Sequence, residues 1–222
     1  MALPRETVSK GFVQELEDFS TLLRSLDEKE WNTPSRCDGW TVANVAGHVT
    51  GQLTDVTTGK LDDLGTPGVT QRQVDERKGR SADEVADEVD AGRKVGTDMV
   101  ATFDDDAWNG PVPAPNVAGT LGDGVEALWY DTYLHADDIR SAIGRKSERG
   151  PGLEAGISHI ATILGQKEWG AATLALDGIA EFPVGGSGGK RITGDPFEFM
   201  LAATGRGDPA RFGLDETVNI YR

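Results

Sequence analysis

The chain has 222 residues, 37% hydrophobic and 27% charged, with a formal net charge of −15. That length buries a real core, as one large domain or as a medium domain with a small one. The acidic balance repels phosphates and anionic headgroups, and no apolar run approaches the roughly 20 residues that span a bilayer, so neither nucleic acid nor membrane is an expected partner.

The opening residues, MALPRETVSKGF, carry no apolar core of a secretory signal, so a cytoplasmic location is expected. In the first predicted helix Phe12, Leu16, Phe19, Leu23 and Leu26 recur at alternating steps of four and three, making one apolar stripe. Thr41 is a good N-cap for the second, with Trp40 and Val45 placed as a hydrophobic staple and Val42, Val45, Val49, Leu53 and Val56 as the stripe. Residues 59–80 are polar, carry Gly and Pro, and read as a long connection. Ser81 followed by Glu84 is a capping-box pattern opening a third helix with Val85, Val89, Val95, Met99 and Phe103. A proline-bearing stretch, 109–122, leads to a fourth helix starting near Asp123 and Glu126, with Val125, Leu128, Trp129, Ile139 and Ile143. Four such helices predict a bundle.

Beyond Gly150 the character changes. A helix over 153–169 is expected, then short strands over 171–176, 179–184 and 191–193, with a Gly-rich turn at 185–189. Asp195-Pro196 starts a further helix that Gly205 ends, and 217–221 reads as a last strand. The chain is therefore expected to be mainly α: residues 1–150 a helical bundle, residues 151–222 a small α+β domain. No internal repeat is visible.

Cys37 is the single cysteine, which excludes an internal disulfide and a multi-thiolate zinc site. Any metal must be held mainly by imidazole and carboxylate. There are three histidines, at 48, 135 and 159. Asp131 and His135 stand four residues apart and project from one helix face, which also holds Leu128, Ile139 and Ala142. A carboxylate on a core-facing stripe is costly unless it finds a partner or a metal. His48 lies at the edge of its own apolar stripe and can also face inward. Two imidazoles and a carboxylate can fill three positions of a zinc site and leave the fourth open. From spacing alone, a plain hydrogen-bonded Asp131–His135 ion pair is the more frequent arrangement.

A resemblance shifts that balance. The segment WNTPSRCDGWTVANVAGH, from Trp31 to His48, resembles the opening of the mycothiol-dependent maleylpyruvate isomerase family, a branch of the DinB-like four-helix metalloproteins. The run DTYLHADDIRSAIG, from Asp131 to Gly144, is similar to that family's acid-x-x-x-His, Asp, small-residue, Gly pattern, and Thr193 through Arg206 is similar to its C-terminal segment. The resemblance implies a DinB-like bundle in which His48 and His135 ligate a divalent metal, zinc being expected, with Asp131 at the third ligand position. That position is commonly Glu, and Asp137 stands where an aromatic is frequent. It further implies an enzyme whose thiol cosubstrate is mycothiol, acting on a small electrophile as an S-transferase or a cis–trans isomerase. A cation favours thiolate over thiol, and the thiolate is the nucleophile. The expected partners are thus a small-molecule thiol and an electrophile, with a homodimer left open. The alternatives are a non-catalytic metal- or thiol-sensing module, and a purely structural bundle.

Arg206 is the candidate catalytic group outside the ligand set, as a bidentate partner for a substrate carboxylate. Arg72, Arg77, Lys78 and Arg80 could do the same but read more simply as a solvated loop. Cys37 has Arg36 as its only adjacent cation and reads as structural. His159 falls outside the matched segments and reads as packing. The Gly-rich run before Lys190 lacks the first Gly and the Ser/Thr of a phosphate loop.

Overall fold

The computed structural model describes residues 3–115, 117–186 and 188–222. Asn116, in the proline-bearing stretch, and Ser187, in the Gly-rich turn, lie outside the described residues. The chain forms two compact units, one of Arg5–Glu148 and one of Arg149–Arg222 with Leu3 and Pro4.

In the first unit the apolar stripes become four long helices: α1 (Arg5–Arg24), α3 (Val42–Thr57), α5 (Ala82–Thr102) and α7 (Leu121–Ala142). Short helices α2 (Glu28–Trp31), α4 (Pro67–Asp75) and α6 (Asp105–Asn109) lie between them. Helices α1 and α3 each pack against both α5 and α7, which closes a four-helix bundle. Phe12, Leu16, Phe19 and Leu23 of α1 are buried in it with Val45, Val49 and Leu53 of α3 and Trp129, Leu134 and Ile139 of α7. Thr41 caps α3 in a reciprocal box with Asn44, and Ser81 caps α5 in one with Glu84.

Three local expectations need correction. The 59–80 connection contains α4, which Thr66 caps with Pro67 at the first helical position. The buried face of α5 runs Val85, Val89, Gly92, Gly96 and Val100, whereas Val95 is exposed. Glycines carry no hydropathy signal, yet a Cβ at Gly92 would meet Leu53 Cδ2 at 2.7 Å, so the close α3–α5 approach depends on it. Helix α7 begins three residues earlier than expected, because Thr120 caps it in a box with Asp123.

The second unit opens with α8 (Pro151–Gln166) and continues into β1 (Ala172–Leu174), β2 (Phe182–Val184) and β3 (Lys190–Ile192). The sheet order is β2-β1-β3, β1 running antiparallel to β2 and parallel to β3. Helix α9 (Pro196–Ala203), capped by Asp195, packs on α8. The expected last strand is absent among the described residues. Asp215 instead accepts from the Thr217 backbone at 3.0 Å and nucleates a 3-10 turn over Glu216–Val218, and the Ile220 N–H donates to Ala203 O at 2.9 Å. A local Asp cap has outcompeted an extended conformation. The fold is mainly α, a four-helix bundle followed by a small α+β unit, as expected. No helix of the described residues is long and apolar enough to cross a membrane.

Candidate metal centre

Helix periodicity puts Asp131 and His135 on one face of α7, and α3 brings His48 against them. His48 Nε2 lies 3.6 Å from Asp131 Oδ2, and His135 Nε2 lies 3.6 Å from Asp131 Oδ1. The imidazoles meet edge to face, with centroids 5.2 Å apart, and Trp40 stacks obliquely on His48 with centroids 5.5 Å apart. One ligand-capable atom from each of the three residues lies within 4.8 Å of the other two.

At 3.6 Å these pairs are too long for hydrogen bonds. Ligands held at about 2.0–2.1 Å from a tetrahedral zinc stand about 3.4 Å apart, so the observed spacing suits ligands of one cation better than partners of one proton. Asp131 Oδ2 is buried and hydrogen-bonds to no described residue. A desolvated carboxylate oxygen without a partner is costly, and a cation would relieve that cost.

The far nitrogen of each ring is tied. His48 Nδ1 meets Gln73 Oε1 at 2.9 Å, and His135 Nδ1 meets Asp138 Oδ2 at 2.8 Å. Both partners are acceptors, so each ring donates its Nδ1–H outward and turns Nε2 toward Asp131. This is the usual arrangement behind a metal-ligating histidine. The residues therefore fit a divalent cation.

Electrostatics separate the two rings. Burial pushes the His48 pKa down, His135 adds to that, and Asp131 and the Gln73 bond only partly oppose it. Burial also disfavours charge on His135, but Asp131 together with bonds to Asp138 and Cys37 carries it up to about 10. A cation binding here has to displace a proton from His135.

A second cluster adjoins the first. Asp138, fully buried, accepts from His135, from Cys37 Sγ at 3.2 Å and from Arg36 Nε at 2.5 Å, and Arg36 also pairs with Asp137. Cys37 thus adjoins both Asp138 and His135, a placement that its sequence surroundings did not indicate. Asp137 is buried, where it pairs with Arg36 and accepts from Ser147 Oγ.

Arg206 belongs to the C-terminal unit, just after α9, where its Nη1 donates to Thr204 O at 3.1 Å. His159 is half-buried on α8. The basic patch is not a solvated loop throughout: Arg77 is buried, and Arg77 and Arg80 both pair with Glu88 while Arg72 pairs with Asp55 at 2.7 Å. Sequence reasoning missed Gln73 and Asp138 as partners of the histidines. Asp138 lay inside the quoted motif, three residues after His135, and could have been found from that spacing.

Two solved structures share the fold over 96% of this chain and 96% of theirs. They are crystal structures of the mycothiol-dependent maleylpyruvate isomerase and of a histidine-to-alanine mutant of it, at 17% identity with TM-scores of 0.63 and 0.65. No curated protein sequence gives a significant match. The model of the mycothiol maleylpyruvate isomerase N-terminal domain matches residues 12–140, more than half of the chain, and the chain belongs to that family.

Proposed function

We propose that this protein is a metal-dependent isomerase that uses mycothiol as its thiol cosubstrate, with His48, Asp131 and His135 holding a divalent cation, zinc by the chemistry of the donor set. The observation that carries the reading is the buried, unsatisfied Asp131 carboxylate oxygen beside two imidazoles whose far nitrogens are already tied. The family supports the thiol, and the solved structures of similar fold are of a mycothiol-dependent maleylpyruvate isomerase.

A divalent cation bound there would favour the thiolate over the thiol and so supply the nucleophile. The protein's own groups do the rest. Gln73 and Asp138 hold the imidazoles with Nε2 toward the centre, and the Trp40 ring covers one side of His48. Addition of the sulfur to an electrophilic alkene carbon, rotation about the resulting single bond and expulsion of the same thiolate would return the thiol unchanged, which is isomerisation. Retention of the adduct would be S-transfer. We assign Arg206 to a substrate carboxylate, since its guanidinium can pair bidentately with one.

The test is turnover of maleylpyruvate by the zinc-loaded protein with and without mycothiol. Thiol-dependent formation of the trans isomer supports the reading. Stoichiometric zinc without any thiol-dependent turnover would favour a binding or sensing module instead. Arg206→Ala is expected to raise KM more than it lowers kcat; unchanged kinetics would remove that residue from the account.

The rival structural reading also has an observation behind it, namely the upward shift of His135 beside Asp131, as in a buried ion pair. Its weakness is geometric, because the pair stands at 3.6 Å and leaves Oδ2 unpaired.

A further inference from the structure

Helix α4 reaches the site through one residue. The Gln73 side chain is buried, its Oε1 lies 2.9 Å from His48 Nδ1, and its Nε2 donates to Asp55 Oδ2 at 2.7 Å. Asp55 is itself buried on α3, two turns after Gly47, and also accepts from Arg72 Nη2 at 2.7 Å. A carboxylate can only accept, so it requires the NH2 end of the Gln73 amide. The carbonyl end must then face His48, and a carbonyl oxygen can only accept. The proton of the His48 ring is therefore fixed on Nδ1, and Nε2 carries its lone pair toward Asp131.

The backbone around this chain of bonds is held close. A Cβ at Gly51 would stand 2.5 Å from Gln73 Cβ and 2.8 Å from Arg77 Nη1, so only glycine admits α4 at this distance from α3. Arg77, buried, donates from Nη1 to Gln73 O at 2.9 Å and pairs with Glu88, which also accepts from Thr54 Oγ1 at 2.6 Å. Those contacts clamp the backbone that carries Gln73 and leave its amide free to serve His48.

We propose that Gln73 is a positioning residue of the centre: oriented by Asp55, its amide oxygen selects the Nδ1–H tautomer of His48 and aims Nε2 at Asp131 and His135. The link to cation affinity rests on the reading under Proposed function, whereas the tautomer does not.

The test uses the full-length chain, metal-free and nitrogen-15 labelled, because long-range proton–nitrogen spectra distinguish the two tautomers at each of three histidines. Wild type is expected to show His48 as the Nδ1–H form. Gln73→Leu and Asp55→Asn are expected to populate both tautomers, the second because the Gln73 amide can then turn over. Combining Gln73→Glu with Asp55→Asn reverses the donor and acceptor between the two residues but still presents an oxygen to His48, so it is expected to restore the Nδ1–H form. Zinc affinity, read by competition with a chromophoric chelator, should fall about 10–100-fold in the single variants and recover in the double. A role confined to packing α4 would not be rescued by exchanging acid and amide.

An Nε2–H tautomer in wild type overturns the proposal, as does an unchanged tautomer in folded Gln73→Leu. If that variant does not fold, Asp55→Asn and the double variant decide in the same way. If wild type binds no zinc, the cation reading fails and the tautomer comparison still judges Gln73.

Discussion

The two imidazoles of the centre are prepared in opposite ways. On the α3 side, His48 is backed by a neutral amide and its pKa is pushed down. On the α7 side, His135 is backed by a buried carboxylate that also holds Arg36 and Cys37, and its pKa is carried up to about 10. Geometry is nearly the same for both, each Nε2 lying 3.6 Å from an Asp131 oxygen. At His48 burial prevails, whereas at His135 Asp131, with the bonds to Asp138 and Cys37 added, overcomes it. Two rings at the same distance from one carboxylate therefore differ in how proton-loaded they are. The α7 side also places the negative charge of Asp138 where it can strengthen one donor, with Arg36 keeping that carboxylate paired.

Substitutions can break this contrast. Asp131→Asn removes the anion common to both rings, and zinc affinity should fall by more than the 10–100-fold typical of losing an outer partner. Chelator competition reads this, and unchanged affinity would count against Asp131 as a ligand. Asp138→Asn strips the carboxylate from the His135 side alone. About 10–100-fold weaker zinc binding is expected, with the His135 pKa falling in a proton NMR titration. Equal pKa shifts at both histidines would mean that the two sides are not separate.

A smaller effect lies outside the centre, where α1 meets α7. Glu15 is buried, its oxygen 3.3 Å from Trp129 Nε1. Burial raises its pKa from 4.5 to about 7, against the pull of Trp129 and Arg140. The folded state therefore binds a proton more tightly than the unfolded chain. The stabilisation is complete below pH 4.5 and is lost as pH rises to 7, with an upper limit of about 3 kcal/mol. Glu15→Gln should thus match wild type near pH 4 and exceed it at pH 8 in urea unfolding; parallel curves across that range would contradict the shift. The smallest effect is expected of Cys37→Ser. Serine keeps a donor for Asp138, so thiol-dependent turnover should stay within about threefold, whereas complete loss would make Cys37 a nucleophile.

Much of this was legible from the sequence, for identifiable reasons. The stripes of α1 and α3, and the caps at Thr41 and Ser81, are local patterns whose meaning depends little on the rest of the chain. Asp131 and His135 were likewise set together by helix geometry. The proximity of His48 was not derivable from periodicity, since it depends on how α3 packs against α7. Helix α4 was passed over because its residues are polar, although Thr66-Pro67 is a start signal. Gln73 was invisible for a deeper reason: its importance comes from Gly51, which lets α4 approach, and from Asp55, which turns the amide. No single-residue pattern states that relation. In α5 the core face ran through Gly92 and Gly96, where a hydropathy pattern has nothing to register.

The most direct test of the account is metal content by plasma mass spectrometry, on protein purified without chelator or metal-affinity resin, with wild type beside His135→Ala. The account predicts near-stoichiometric zinc or a similar divalent ion in wild type and background levels in the variant. Stoichiometric metal retained in His135→Ala, or none in wild type even after zinc is supplied, would contradict it and leave Asp131 and His135 as an ion pair in a structural bundle.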